Sequence, residues 1–136
     1  MKYITRNLEK VVSQVTTEYP VVLVTGPRQV GKTTMLQKLM EGTNRGYVSL
    51  DDLNERNIAK TDPELFLQLH KPPVLIDEVQ YAPELFTYIK MHVDKNHEPG
   101  AFWLTGSQVF KLMRGVQESL AGRVAVLPLT SLSQAE

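Results

Sequence analysis

Cysteine is absent, which excludes disulfides and thiolate metal sites. The histidines, His70, His92 and His97, stand at no metal-ligand spacing and read as surface or helix-face residues. No apolar run approaches the roughly 20 residues needed to span a membrane. The start, Met1-Lys2-Tyr3-Ile4-Thr5-Arg6, lacks the apolar core of a signal peptide, so a cytoplasmic location without a membrane partner is expected. Neither sign of charge is in excess: 15 basic residues face 15 acidic ones. With no global pull on polyanions, nucleic acid is not an expected partner of this segment. Repeats and low-complexity stretches are also missing. What is present is ordinary for one globular domain: 136 residues, 42% of them hydrophobic and 22% charged. The single tryptophan, Trp103, has apolar neighbours and reads as core rather than as a platform for a base.

Against this plain background stands Gly26-Pro27-Arg28-Gln29-Val30-Gly31-Lys32-Thr33, a complete phosphate-binding loop of the form G-x-x-x-x-G-K-[ST]. The β-branched run Val21 to Thr25 leads in, and a helix-forming stretch from Thr34 to Glu41 leads out. Gly26 and Gly31 allow backbone angles closed to other residues, so successive N–H groups can turn inward around phosphate oxygens. Lys32 brings a mobile ammonium to the β- and γ-phosphates. Thr33 offers a hydroxyl to Mg²⁺, and the following helix, including Thr34, aims its positive end at the same phosphates. Arg28 either touches phosphate or rims the pocket.

Hydrophobic periodicity orders the rest. Leu8, Val11, Val12 and Val15 mark an amphipathic helix from Arg6 to Glu18. Strands are expected at Val21 to Thr25, Tyr47 to Leu50, Val74 to Ile76, Ala101 to Thr105 and Val124 to Leu127, the third and fourth apolar on both faces. Helices fall between them. Asp52 with Glu55 caps one through Lys60, Thr61-Asp62-Pro63-Glu64 opens a second, and Pro83 opens a third. The fourth runs from Gln108 to Leu120, interrupted near Gly115 and stopped by Gly122. Strands alternating with helices predict a doubly wound parallel α/β fold, with ligands at the carboxyl ends of the strands.

Val74-Leu75-Ile76-Asp77-Glu78 matches the Walker B pattern, an apolar strand delivering two acids at its carboxyl end. Asp77 is expected to hold Mg²⁺ through water, and Glu78 to polarise the water that attacks the γ-phosphate. Glu directly after Asp points to a water-activating ATPase rather than a GTPase. The extra strand between the two motifs fits that branch of P-loop folds. There strand four separates the P-loop and Walker B strands, which gives a five-stranded P-loop NTPase sheet in the order 5-1-4-3-2. The polar end of strand four then serves as a sensor of the γ-phosphate. Thr105 is the first choice and Ser107 the second, although Ser107 is also a good helix N-cap. Arg123 has two readings, a cation beside a helix C-terminus or an arginine finger reaching a neighbouring subunit in a homo-oligomer; Arg114 is a weaker finger. Ser49 and Asp51, at the end of strand two, are candidates to hold Glu78 at rest.

Four segments then stand in order: Gly26 to Thr34, Val74 to Gln80, Leu104-Thr105-Gly106-Ser107-Gln108 and Ser119-Leu120-Ala121-Gly122-Arg123. Together with Asp62-Pro63-Glu64-Leu65-Phe66-Leu67 they resemble prokaryotic predicted ATPases of the AAA type, in which this domain precedes a C-terminal domain of unknown function. The resemblance runs from about Ile4 onward and implies ATP and Mg²⁺ as ligands. It divides the chain into a helical segment over 1–19, packed on an ATPase core over 20–136. Such proteins also carry a helical lid and an effector domain that this chain lacks, so a fragment or truncated product is expected.

The leading expectation is Mg²⁺-dependent ATP binding and hydrolysis. The alternative is a nucleotide-controlled interaction module with little or no turnover. A small-molecule kinase would need an Arg-rich lid, and the sequence offers none.

Overall fold

A computed structural model describes residues 2–27, 31–107 and 110–129, with side chains over 8–27, 31–107 and 111–129. Five parallel strands carry the chain: β1 (Val21–Thr25), β2 (Gly46–Ser49), β3 (Val74–Asp77), β4 (Phe102–Gly106) and β5 (Val124–Pro128). Their spatial order is β2-β3-β4-β1-β5, the order expected from the motifs. The helices are α1 (Lys2–Val15), α2 (Lys32–Leu39), α3 (Leu53–Thr61), α4 (Pro63–Leu69), α5 (Leu85–Asn96) and α6 (Phe110–Leu120).

Strand alternation builds two cores on the two faces of one sheet. Val21 and Leu23 of β1, Val74 and Ile76 of β3, and Phe102 and Leu104 of β4 face one way. There they meet Ala59 of α3, Phe66 of α4, Phe86 and Ile89 of α5, and Leu112 and Val116 of α6. Val22, Val24, Leu75 and Trp103 face the other way, against Val12 of α1 and Met35 and Leu36 of α2. Strands buried on both faces must be apolar throughout, which is why β1, β3 and β4 show no polar alternation. Trp103 belongs to this second core: its indole N–H donates to Thr16 Oγ1 at 3.0 Å, and the Arg45 guanidinium lies over the ring at 3.9 Å. Burial pushes that guanidinium down to about 10.

Caps explain the helix starts. Asp52 accepts from the N–H groups of Asn54 and Glu55 at 2.9 and 3.1 Å, and Asp62 accepts from Leu65 N–H at 3.1 Å ahead of Pro63. Two expectations need correcting. The helix expected at Pro83 begins at Leu85, because i→i+3 bonds from Leu85 and Phe86 to Ala82 and Pro83 first close a tight turn. Gly115 does not interrupt α6. A β-carbon there would stand 3.2 Å from Phe86 Cδ2, so the glycine lets α6 approach α5 closely.

The loop leaving β1 runs to α2 on one face, whereas β3 and β4 lead to α5 and α6 on the other. Neighbouring β1 and β4 therefore send their exits apart, and a crevice opens at the carboxyl end of the sheet.

Candidate functional site

Gly31 stands before α2 with φ 80°, ψ 22°, and nothing crowds its α-carbon; its left-handed backbone is what requires glycine. Lys32 opens the helix. Its side chain is only 1% exposed and folds over the loop, where Nζ donates to the Pro27 carbonyl at 3.3 Å. Gly26 (φ 153°) donates its N–H to the Gly106 carbonyl at 3.2 Å, joining the start of the loop to the end of β4. Thr34 is exposed on α2. Arg28, Gln29 and Val30 lie outside the described residues.

Thr33 Oγ1 donates to Asp77 Oδ1 at 2.6 Å, so the end of β3 meets the first turn of α2. Thr105 Oγ1 donates to the same carboxylate oxygen. The other oxygen, Oδ2, accepts from Tyr47 Oη and Ser49 Oγ of β2, each at 3.3 Å. Four donors match the roughly four lone-pair positions of a carboxylate, so Asp77, 6% exposed, is fully satisfied in place. The Tyr47 phenol is pushed up, first by burial and then by the Asp77 charge beside it.

Glu78 follows in the left-handed region, φ 62°, ψ 52°. On a continuing strand the two acids would point to opposite faces. The turn at Glu78 ends the strand instead, and the carboxylates of Asp51, Asp77 and Glu78 come within 4.8 Å of one another. A non-glycine residue with such angles stores strain. Here it is held by Glu78 N–H donating to Thr105 Oγ1 at 3.0 Å, and by Gln80 Nε2 donating to Glu78 Oε1 at 2.8 Å. Ser49 was expected to hold Glu78. Its hydroxyl goes to Asp77 instead, and the bond to Glu78 comes from Gln80.

Thr105 is completely buried and touches both acids. Ser107 meets Gln80 through its N–H and its hydroxyl; the helix start at Gln108 that it was expected to cap lies outside the described residues. Arg123 stands at the opposite end of the sheet, where its carbonyl accepts Val21 N–H at 3.2 Å. Its Nε and Nη2 donate to Asp94 at 2.6 and 2.9 Å, and Nη1 donates to the Ala121 carbonyl at 2.9 Å just past α6. The pair holds the Asp94 carboxyl below its ordinary range and raises Arg123, in both cases chiefly through these hydrogen bonds. Arg114 pairs with Glu118 on the surface of α6 at 3.6 Å. Among the histidines, His70 meets Glu55 at 2.8 Å and His92 packs edge-on against Phe102.

Sequence reasoning assigned no role to Gln80 or Tyr47. Tyr47 stands two residues before Ser49 on β2, and that same-face spacing was its available signal. Gln80 gave no local signal beyond its place in the Walker B segment.

Fold and site together define a P-loop domain, and the comparisons agree. A family model described as "AAA domain" matches residues 18–136, and the chain belongs to that family. An uncharacterized protein of Mycobacterium tuberculosis (strain ATCC 25618 / H37Rv) is 37% identical over 115 residues, as is one of Mycobacterium bovis (strain ATCC BAA-935 / AF2122/97). The match covers 84% of this chain but 26% of each relative, so the chain spans about a quarter of their length. Among solved structures, the Walker-type ATPase of Pyrococcus abyssi superposes with a TM-score of 0.59 at 19% identity, covering 94% of this chain and 52% of that one. The RuvB Holliday junction branch migration motor of Thermotoga maritima gives 0.54 at 19% identity, with 95% and 45% covered. At such identities the likeness is one of fold. The chain is thus an AAA domain built on a P-loop fold. Among the described residues no helix is long and apolar enough to cross a membrane.

Proposed function

We propose that this domain binds ATP with Mg²⁺ and hydrolyses it. The observation that carries the reading is the meeting of Thr33 and Asp77 at 2.6 Å beside the phosphate loop, with Glu78 next to them. A hydroxyl and a carboxylate are hard oxygen donors, the set that Mg²⁺ takes while keeping part of its water shell. In this reading Thr33 and Asp77 hold the ion, whose charge offsets that of the phosphates when it is bound. Lys32 leaves the Pro27 carbonyl for the β- and γ-phosphate oxygens, alongside the loop amides. Glu78 accepts a proton from water as the water oxygen bonds to the γ-phosphorus. The bond to the β,γ-bridging oxygen breaks, and its electron pair leaves with ADP. Thr105 acts as the sensor by way of the two acids that it touches, with Ser107 beside it. Arg123 is far from the phosphate loop of its own chain, so any finger role is played on a neighbouring copy in a homo-oligomer.

Replacing Glu78 tests the reading. Glu78→Gln should retain ATP affinity while turnover falls by the 100- to 10,000-fold typical of a lost general base. Wild-type rates in that variant would remove Glu78 as base. Tight binding with near-zero turnover in the unaltered chain would favour the interaction module.

A further inference from the structure

Gln80 lies two residues past Glu78, in the 3₁₀ turn Val79–Tyr81, and its amide faces two groups of opposite character. Nε2 donates to Glu78 Oε1 at 2.8 Å and lies 3.5 Å from Ser107 Oγ; Oε1 accepts the Ser107 main-chain N–H at 3.2 Å. This orientation is forced, because an ionised carboxylate only accepts and a main-chain N–H only donates. Glutamine meets both demands. Glutamate lacks the donor, asparagine is one methylene short, and an apolar side chain leaves both partners unpaired.

The surroundings leave room for that amide. A β-carbon on Gly106 would stand 3.1 Å from Gln80 Oε1 and 2.7 Å from Leu112 Cδ2. Glu78 is consequently tied to the end of β4 twice, by its own N–H on Thr105 and by its carboxylate through Gln80 to Ser107. Strand β4 pairs with both β1, which leads into the phosphate loop, and β3, which carries the acids.

We infer that Gln80 is a positioning residue, holding the Glu78 carboxylate in one orientation and fixing it to the exit of β4 at Ser107. The inference rests on the reading of Glu78 as the base. Any displacement of the β4 exit at Ser107 by bound nucleotide then reaches the Glu78 carboxylate through the Gln80 amide, beside the main-chain tie to Thr105.

Two readouts on the whole chain test it. In the nucleotide-free protein, the Gln80 side-chain amide protons should resonate away from the free-glutamine position and return to it in Glu78→Ala. Exchange protection of the Ser107 N–H should be lost in Gln80→Met. In steady state, Gln80→Met should lower kcat about 10-fold or more with ATP affinity kept within about twofold, the loss expected for one charge-assisted hydrogen bond. Gln80→Glu retains an acceptor for Ser107, so it should keep the exchange protection and still lose turnover. Packing alone predicts near-normal turnover in that isosteric variant. Amide protons already at the free position in the unaltered protein, or turnover kept in both variants, overturn the inference. A chain that binds ATP without any turnover overturns the hydrolysis reading instead, and the amide protons then decide the positioning contact.

Discussion

Thr33 and Asp77 are 44 residues apart in sequence and 2.6 Å apart in space. That bond closes β3 onto the first turn of α2, and its two oxygens are those we propose as ligands of the ion. Thr33→Ala leaves Asp77 with three of its four donors, so the fold should persist. Isothermal titration with ATP should show affinity about 10-fold weaker in the presence of Mg²⁺, the scale of one hydrogen bond to a charged group. With EDTA the variant and the parent should bind alike. An equal loss in both conditions would place Thr33 on phosphate rather than on the metal.

Lys32 is a fully buried cation with little to compensate its charge. It is 1% exposed, and among the described residues its ammonium meets only the Pro27 carbonyl. A buried cation with one neutral acceptor costs the free protein stability. Lys32→Met keeps the length and drops the charge. It should raise the melting temperature without nucleotide by roughly 2–8 °C, the shift that about 1 kcal/mol gives in domains of this size. The same change should weaken ATP binding by roughly 10- to 150-fold. A lower melting temperature would show that the charge is satisfied in the free state.

Much of this was legible in the sequence, for a reason that varies with the residue. Val74 to Ile76 and Ala101 to Thr105 read as central strands because burial on both faces permits no polar alternation. The strand order followed from the two phosphate-site motifs and the strand between them. Asp52 and Asp62 announced their helices because capping is local chemistry. Gly115 misled, since a glycine that breaks a helix and one that admits Phe86 look alike until the neighbour is known. Gln80 stayed hidden for a similar reason. Its amide is read by Ser107, 27 residues away, and nothing in the local pattern points there. Ser49 was placed in the right neighbourhood and on the wrong acid, because one-residue differences at a strand end decide which carboxylate a hydroxyl reaches.

Arg123 and Asp94 make a bidentate pair on the surface, Nε and Nη2 meeting the two carboxylate oxygens. Exposed pairs add little to stability, so Arg123→Ala should shift the melting temperature by no more than about 2 °C. The pH dependence has a defined sign. Asp94 is depressed by Arg123, so the pair's contribution is present above the ordinary carboxylate pKa of about 3.9 and lost as pH falls through the lower folded value. A finger on a neighbouring copy predicts something the surface pair does not. Turnover per chain should rise with protein concentration, and Arg123→Ala should abolish that rise. Concentration-independent turnover in the parent would leave Arg123 with its surface role alone.

Gly106 joins three parts of the site. Its carbonyl receives the Gly26 N–H at the start of the phosphate loop, and its α-carbon faces Leu112 of α6 and the Gln80 amide. An added methyl would stand 2.7 Å from Leu112 Cδ2, closer than packed atoms sit, and a tight 3.1 Å from Gln80 Oε1. Overpacking of this kind costs about 1–3 kcal/mol, so Gly106→Ala should lower the melting temperature measurably. Leu112→Ala in the same chain removes the tighter of the two clashes. If Leu112 is the main obstacle, the double variant should lose less than the two single losses added together. If the losses simply add, the strain lies in the Gln80 amide, and Ser107 exchange protection should fall in Gly106→Ala whether or not Leu112 is shortened.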